Sequence, residues 1–363
     1  MIDAFSGLSL APQRISRPRF HLTAGDVPLP LELLRACMSV SVTLAANRPA
    51  AFSIAVNDPQ MIWIGMQDGL LQEGRSIDIA VGYGFELKSI FSGAVIAVGA
   101  DLSEGGGFVV QVQGFDALHK AARESRYEQF AENESDSAII RKIAQDVLGL
   151  RNVSVQLQGT RSRRRFRKNT TALELLDELA TEYGCRFWVE SDTLFFRPER
   201  VGSDTIALRR RLDLISLSVR LSTAGQVEEV EARTWDSANK KQITATARAS
   251  ELFPATDTLS SAGIDQTRRG ASGNSKRVLH AEIDATTQEE AQRYAEAELR
   301  RLRRNLLTAD AEVIGNPAIR VGTVVALSPA DVGRFHGEYI VDSARHDVDR
   351  NGYRTFLQMR RVP

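Results

Sequence analysis

Five histidines, a run of glycines, an arginine-rich segment and scattered acidic pairs are the residues of this chain whose types could do chemistry. The histidines are His21, His119, His280, His336 and His346. A zinc site needs closely spaced ligands, such as two histidines one helical turn apart or a Cys-x-x-Cys pair. Neither spacing occurs, and the two cysteines, Cys37 and Cys185, sit in separate apolar stretches. No metal is expected. His336 and His346 would meet only across the last hairpin, and polar strand or turn positions account for both more simply. Gly105-Gly106-Gly107 falls between two strand-like segments and not before a helix. It reads as a hairpin turn instead of a phosphate cradle. No Gly-x-Ser-x-Gly elbow or dinucleotide fingerprint occurs. Asp177 and Glu178 occupy a helix whose other face is apolar, which makes them solvated. No catalytic set emerges, no cofactor is implied, and the chain is not expected to be an enzyme.

The densest charge lies at Arg161, Arg163, Arg164, Arg165, Arg167 and Lys168, interleaved with Phe166. Such a cluster suits phosphate or an acidic protein face. A cationic edge strand that discourages aggregation has the same composition. The net charge is zero, with 46 basic and 46 acidic residues. That balance argues against nucleic-acid sequence readout, which calls for a basic excess. A protein partner stays open. The candidate partner contacts are Arg163, Arg164, Arg165, Arg167 and Lys168, with Arg268 and Arg269 in the polar segment 250–277. Arg300-Arg301-Leu302-Arg303-Arg304 falls at a helix C-terminus, where the macrodipole favours cations without a ligand.

The elements that must position these residues are mostly strands. From Val40 to Val112, apolar residues alternate in short runs punctuated by Gly, Asn, Asp and Pro. That pattern predicts a barrel or sandwich. Residues 137–148 carry a helical stripe of Ile139, Ile140, Ile143, Ala144, Val147 and Leu148, capped by Ser135 or Asp136 and ended at Gly149. A second helix is predicted from Ala172 to Tyr183, with Thr171 and Glu174 as a capping box and Gly184 as its stop. A hairpin over 186–196 turns at Ser191-Asp192, and another joins Val227–Trp235 to Gln242–Ala247. A third helix is predicted over 286–307. The domain reading is an N-terminal arm at 1–35, a first β-barrel at 36–118, an α/β module at 119–200, and a second β-barrel at 201–363. The start has no signal-peptide pattern, and no apolar run is long enough for a membrane span. Synthesis and folding in a cytoplasm are expected.

One pattern occurs twice. Gly74-x-x-Ile77-x-Ile79, Phe91-Ser92-Gly93 and Gly107-Phe108-x-Val110 are followed much later by Gly322-x-x-Val325-x-Leu327, Phe335-His336-Gly337 and Gly352-Tyr353-x-Thr355. The spacing predicts two related barrels in one chain, with Phe91 and Gly93 equivalent to Phe335 and Gly337.

The stretch Asn169–Gly184 with Arg186-Phe187-Trp188-Val189 and Thr193-Leu194-Phe195-Phe196 resembles the central signature of the phage late control D family. Phe335–Val341, His346 and Gly352–Thr355 resemble its C-terminal signature. Gly82-Tyr83-Gly84, Ile90–Gly93 and Thr234-Trp235-Asp236 also follow in order. The resemblance covers roughly residues 35 to 361. It implies the structural hub of a contractile phage tail or injection particle, similar to the hub part of type VI secretion spike proteins. In that family the hub is a homotrimer of two-barrel chains, which adapts a hexameric inner tube to a trimeric spike. The implied partners are therefore two further copies, the inner tube protein, a spike protein and baseplate proteins. The chain stops straight after the second barrel, so the spike is expected to be a separate polypeptide. The implied location is the cytoplasm during assembly, then a virion tail or a contractile particle. Two other classes fit less well: a peptidoglycan hydrolase, which needs an acid of raised pKa in a cleft, and a surface- or carbohydrate-binding β protein.

Overall fold

A computed structural model describes residues 17–362 except 26, 64–68, 104–106, 132–133, 158–165, 199–204, 223–225, 237–238, 253–277, 283–284 and 286. The strands, in chain order, begin with β1 (Pro18–Ala24), β2 (Val27–Pro28), β3 (Cys37–Ala45), β4 (Ala51–Asn57), β5 (Ser76–Tyr83), β6 (Glu86–Ser103) and β7 (Gly107–Phe115). The middle of the chain supplies β8 (Ser125–Gln129), β9 (Asn152–Val155), β10 (Phe166–Thr171), β11 (Cys185–Glu190), β12 (Thr193–Pro198), β13 (Thr205–Leu208) and β14 (Leu214–Leu221). The remainder are β15 (Glu229–Asp236), β16 (Lys241–Arg248), β17 (Val278–Glu282), β18 (Leu307–Ile314), β19 (Val324–Leu327), β20 (Gly337–Asp349) and β21 (Gly352–Arg361).

Thirteen strands form one sheet, ordered β14-β18-β21-β20-β3-β4-β7-β6-β5-β1-β2, with β19 on β20 and β13 on β19. The mainly β fold is as expected, with the two related halves in a single sheet. Among the described strands neither half closes on itself, and the halves share one sheet through the antiparallel pairing of β3 with β20. The physical reason lies in β20. Its first residues, Gly337–Ile340, pair with β19. A bulge at Asp342 then interrupts the ladder, and Ser343–Asp349 pair with β3 on that same side while β21 follows the other. A bulge bends a strand and lets it serve two neighbours in succession.

The two halves repeat strand for strand. In the first, β3-β4-β7-β6-β5-β1 are neighbours; in the second, β14-β18-β21-β20-β19-β13. The irregularities repeat as well. The ladder skips Ile96 between β6 and β7 and Asp342 between β20 and β21. It skips Met38 between β3 and β4 and Ile215 between β14 and β18. Gly74 donates its N–H to the Val95 carbonyl at 2.8 Å, and Gly322 donates to Val341 at 2.9 Å. Val95 and Val341 answer with N–H donation to Arg75 and Thr323, both at 2.9 Å. Gly74 and Gly322 have φ of 83° and 81°. Only glycine takes that conformation without strain, which explains both letters of the repeat. One difference is clear: β1 runs antiparallel to β5, whereas β13 runs parallel to β19.

Matching the bulges corrects the sequence alignment of the Phe-x-Gly triplets. Ile79 pairs with Phe91 and Leu327 pairs with Gly337, so Gly337 takes the place of Phe91, and Tyr339 that of Gly93. The triplets are two residues out of register. In the first half the Phe91 ring leans across Gly93, where a Cβ would come within 2.6 Å of it. In the second half Tyr339 fills the position itself and is fully buried, donating its hydroxyl to the Phe335 carbonyl. Phe335 lies in a short helical turn before β20, not in a strand.

Each half covers a core, and that of the first also takes in Val321, Val348 and Tyr353 of the second. Leu22, Val42, Ile54, Ile79, Val95 and Val112 belong to the first. Ala309, Val313, Val325, Tyr339, Val341 and Leu357 belong to the second. Residues 18–35, expected to be an arm, include β1, which pairs along its whole length with β5, and part of a short helix, Leu31–Ala36.

Between the halves, the helix Ala172–Tyr183 has its Thr171–Glu174 capping box and ends at Gly184 with φ 62°. It packs with the hairpin β11–β12 around Leu176, Leu179, Phe187 and Phe196. The helix beginning at Asp136, capped by Ser135, becomes a π-helical turn over Ile143–Leu148. The hairpin β15–β16 with β17 forms a separate three-stranded sheet under the helix Gln288–Arg303, with its own small core of Val230, Ala232, Ala295 and Leu299. The helix expected over 286–307 spans Gln288–Arg303. Leu307 instead opens β18, where its side chain is buried in the core of the second half.

Candidate docking face

Strand alternation puts one set of residues into the cores and the other on a single polar face. On the first half that face carries Ser39, Ser41 and Thr43 of β3, Ser53 of β4, and Gln111 and Gln113 of β7. On the second it carries Ser216, Ser218 and Arg220 of β14, Asp310 and Glu312 of β18, Ser343, Arg345 and Asp347 of β20, and Arg354 and Gln358 of β21. The face is continuous across the β3–β20 seam, because Ser41 stands opposite Asp347 and Thr43 opposite Arg345. Ser41 donates its hydroxyl to Asp347 at 2.7 Å, and Ser343 donates to the Leu44 carbonyl at 3.0 Å. Arg345 pairs with Asp347 at 3.0 Å and lies 4.4 Å from the centroid of the Phe356 ring. Arg354 pairs with Glu312 at 2.6 Å. A trough of about 540 Å³ runs over Thr43, Ser218, Asp310, Arg345, Phe356 and Gln358. The first half of the face is nearly neutral and the second charged with both signs. Such a surface suits polar contact and hydration.

The buried titratable groups have structural explanations. His346 is buried, accepts from the Tyr353 hydroxyl at 2.8 Å and donates to the Ile319 carbonyl at 3.1 Å. Burial, with the Arg320 charge as a minor cause, lowers its pKa to about 4, so the ring is neutral. The register places Ala100, Phe108 and Val110 of the first half where His346, Tyr353 and Thr355 stand in the second. The polar trio therefore belongs to one half only and is not part of what the two halves share. His336 points its Nδ1 at the Gly333 carbonyl, so the two histidines serve separate neighbours.

Burial pushes the Asp116 carboxyl up to about 7. It caps a helical turn by accepting from the Leu118 N–H at 3.0 Å and borders a small, partly open pocket of about 20 Å³. That volume holds about one water and no sugar ring. The raised acid that a hydrolase reading asks for thus exists, beside a pocket too small among the described residues for a sugar ring.

The basic segment resolves in part. Arg167 is buried and donates to the carbonyls of Thr170 at 2.6 Å and Glu124 at 2.8 Å. It holds β10 against β8. Arg167 also lies 3.8 Å from Glu128, so a guanidinium expected among the partner contacts is occupied within the chain; a buried guanidinium keeps its place only when its donors are satisfied. Lys168 follows on β10, in register with Tyr127. Arg163, Arg164, Arg165, Arg268 and Arg269 lie outside the described residues, as does most of segment 250–277.

Sequence reasoning missed the seam between the halves. Asn47, with φ 59°, turns β3 toward β4 and donates from its backbone to the Phe187 carbonyl at 2.8 Å. Its side chain accepts from the Phe187 N–H at 3.1 Å and donates to Asp177 at 3.0 Å. Arg186 reaches Asp342 at 2.7 Å, and Arg320 joins Glu190 to the Ser89 carbonyl. These contacts fix the α/β module across both halves. The local signal was a lone Asn in a turn, and its partners are distant in sequence.

Comparison with known proteins agrees with the fold. The chain is similar to the 43-kDa tail protein of prophage MuSo2 from Shewanella oneidensis, with 17% identity, 95% of this chain and 98% of the other covered, and a TM-score of 0.68. It is similar to a tail protein from Neisseria meningitidis MC58 at 12% identity, with 95% and 96% covered and a TM-score of 0.69. The E. coli c3393 protein, a component of the type VI secretion system, matches at 11% identity, with 94% and 77% covered and a TM-score of 0.62. No curated protein matches the chain by sequence. No helix among the described residues is long and apolar enough to cross a membrane. The fold is that of phage tail proteins, and, with residues 31–350 matching its family description, the chain belongs to the family of the Alg8 N-terminal domain.

Proposed function

We propose that this protein is the structural hub of a contractile tail or injection particle, a homotrimer that adapts a hexameric inner tube to a trimeric spike. The observation that carries this reading is the repeated six-strand unit with matching bulges. A threefold assembly meets a sixfold partner without mismatch only when each chain offers the same surface twice. Two units per chain, in three chains, give six. The two polar faces differ in charge while sharing backbone geometry, so equivalence rests on strand positions more than on side-chain identity. The spike, the tube protein and baseplate proteins are the proposed partners. The role needs no reaction, and the buried acid and histidine above are accounted for by packing.

Co-sedimentation tests the reading. Mixed with assembled inner tube of the same particle, the protein should pellet at a ratio of three chains per tube end. Failure to bind tube, with binding to cell-wall polymer or its turnover instead, would replace this function with one of the alternative classes.

A further inference from the structure

We propose that copies of this chain join edge to edge, the free edge of β6 pairing antiparallel with the free edge of β14 from a neighbouring copy. In the joint, Ala97, Val98, Gly99, Ala100, Asp101 and Leu102 stand opposite Ser222, Leu221, Arg220, Val219, Ser218 and Leu217 of the neighbour.

The protein carries the template for this joint within itself. At the internal seam, Ser343–Asp349 of β20 pair with Ser39–Ala45 of β3. Under the bulge-to-bulge correspondence, Ser343–Asp349 map onto Ala97–Ser103, because both segments pair identically with the return strand that follows. Ser39–Val42 likewise map onto Ser216–Val219 through their common pairing with β4 and β18. Yet among the described strands nothing pairs with that edge of β6 beyond its bulge, and β14 is the last strand of the sheet. The two edges left open are those whose counterparts are joined inside the chain.

Side chains agree with the register. Val348 and Val40 are buried at the internal seam, at 4% and 1% exposure, whereas Leu102, the counterpart of Val348, is 75% exposed. A leucine left that open on a strand edge is an aggregation hazard unless a strand covers it. The polar side matches too. The Ser41–Asp347 hydrogen bond at the internal seam has Ser218 and Asp101 as its counterparts, so the same serine–aspartate pair recurs in the joint. Opposite strands gain from such cross-strand pairs, and the shared ladder satisfies backbone groups that open edges leave to water. Closure of these joints into a ring of three rests on the hub reading above; the strand register does not.

The test uses full-length chains carrying Asp101→Cys and Ser218→Cys separately, mixed and oxidised. Opposite positions of an antiparallel pair bring Cβ atoms within disulfide reach. The mixture should yield a covalent dimer at least tenfold faster than either variant alone or than wild type with its native Cys37 and Cys185. Asp101→Cys mixed with Ser216→Cys, one strand repeat out of register, should give several-fold less. Leu102→Lys should lower the solution mass to one chain while leaving circular dichroism unchanged. A wild-type trimer that neither cross-links in this register nor dissociates with Leu102→Lys would overturn the joint and leave the hub reading standing. A wild-type monomer, alone and with its spike, that fails to cross-link would overturn both.

Discussion

Lowering the pH from 8 to 5 should destabilise the second half through His346, in a way that one substitution removes. The imidazole is enclosed by Tyr353, Thr355 and the Ile319 carbonyl, with Arg320 the charged group that bears on it. Its folded pKa of about 4 lies below the 6.5 of the free side chain. A histidine whose pKa falls on folding binds its proton first in the unfolded chain. Its contribution is therefore intact above pH 6.5, is lost as pH falls from there toward 4, and changes no further below. Linkage over that interval gives a loss of about 2 kcal/mol at pH 5 and about 3 kcal/mol at the limit. Asp116 acts in the opposite sense. Its carboxyl, raised to about 7, is protonated first in the folded state, so it adds stability as pH falls below 7. The difference between wild type and His346→Gln isolates the histidine from this background. Urea unfolding at pH 8, 6.5 and 5 is the assay. The stability difference between wild type and variant should shrink by about 2 kcal/mol from pH 8 to 5. A pH-independent difference would show that His346 is not buried in its neutral form, and the packing described for the second half would be wrong.

Other outcomes follow from particular contacts. Gly93→Ala would drive a Cβ to 2.4 Å from the Phe115 carbonyl and against the Phe91 ring, whereas Gly99→Ala meets nothing within 4 Å. Thermal melts should show about 1–3 kcal/mol lost for the first and near neutrality for the second in an isolated chain. Thr171→Ala removes the hydroxyl that accepts from the Glu174 N–H, leaves the backbone half of the capping box in place, and should cost about 1 kcal/mol in urea unfolding. Arg167→Ala should lower stability by about 1–3 kcal/mol, since it strands the carbonyls of Thr170 and Glu124, yet leave tube and spike binding unchanged in co-sedimentation.

Local grammar was legible in the sequence wherever a residue type has one physical use. The Thr171–Glu174 box, the left-handed glycines at 149 and 184, the Ser135 cap and the 185–198 hairpin all needed only neighbours within a few positions. Gly74 and Gly322 marked the repeat for the same reason, since each holds a positive φ at an equivalent turn. The Phe-x-Gly alignment failed because similar letters filled one core volume from strand positions two residues apart. The open sheet was hidden because it depends on β3 pairing with β20, residues from opposite ends of the chain. Nor could composition mark Arg167, a residue of β10, as buried. Its burial goes with the carbonyls of Thr170, three residues on, and Glu124, distant in sequence, and not with the run it belongs to.

The central claim is that each chain contributes two equivalent units to a threefold ring. Single-particle imaging of the purified assembly, alone or seated on its spike, tests it most directly. The proposed hub function calls for particles of three 40.0-kDa chains, threefold by side chains and nearly sixfold in backbone, with six sheet units around the axis. A particle with any other rotational order, or one in which only three of the six units line the ring, would contradict it.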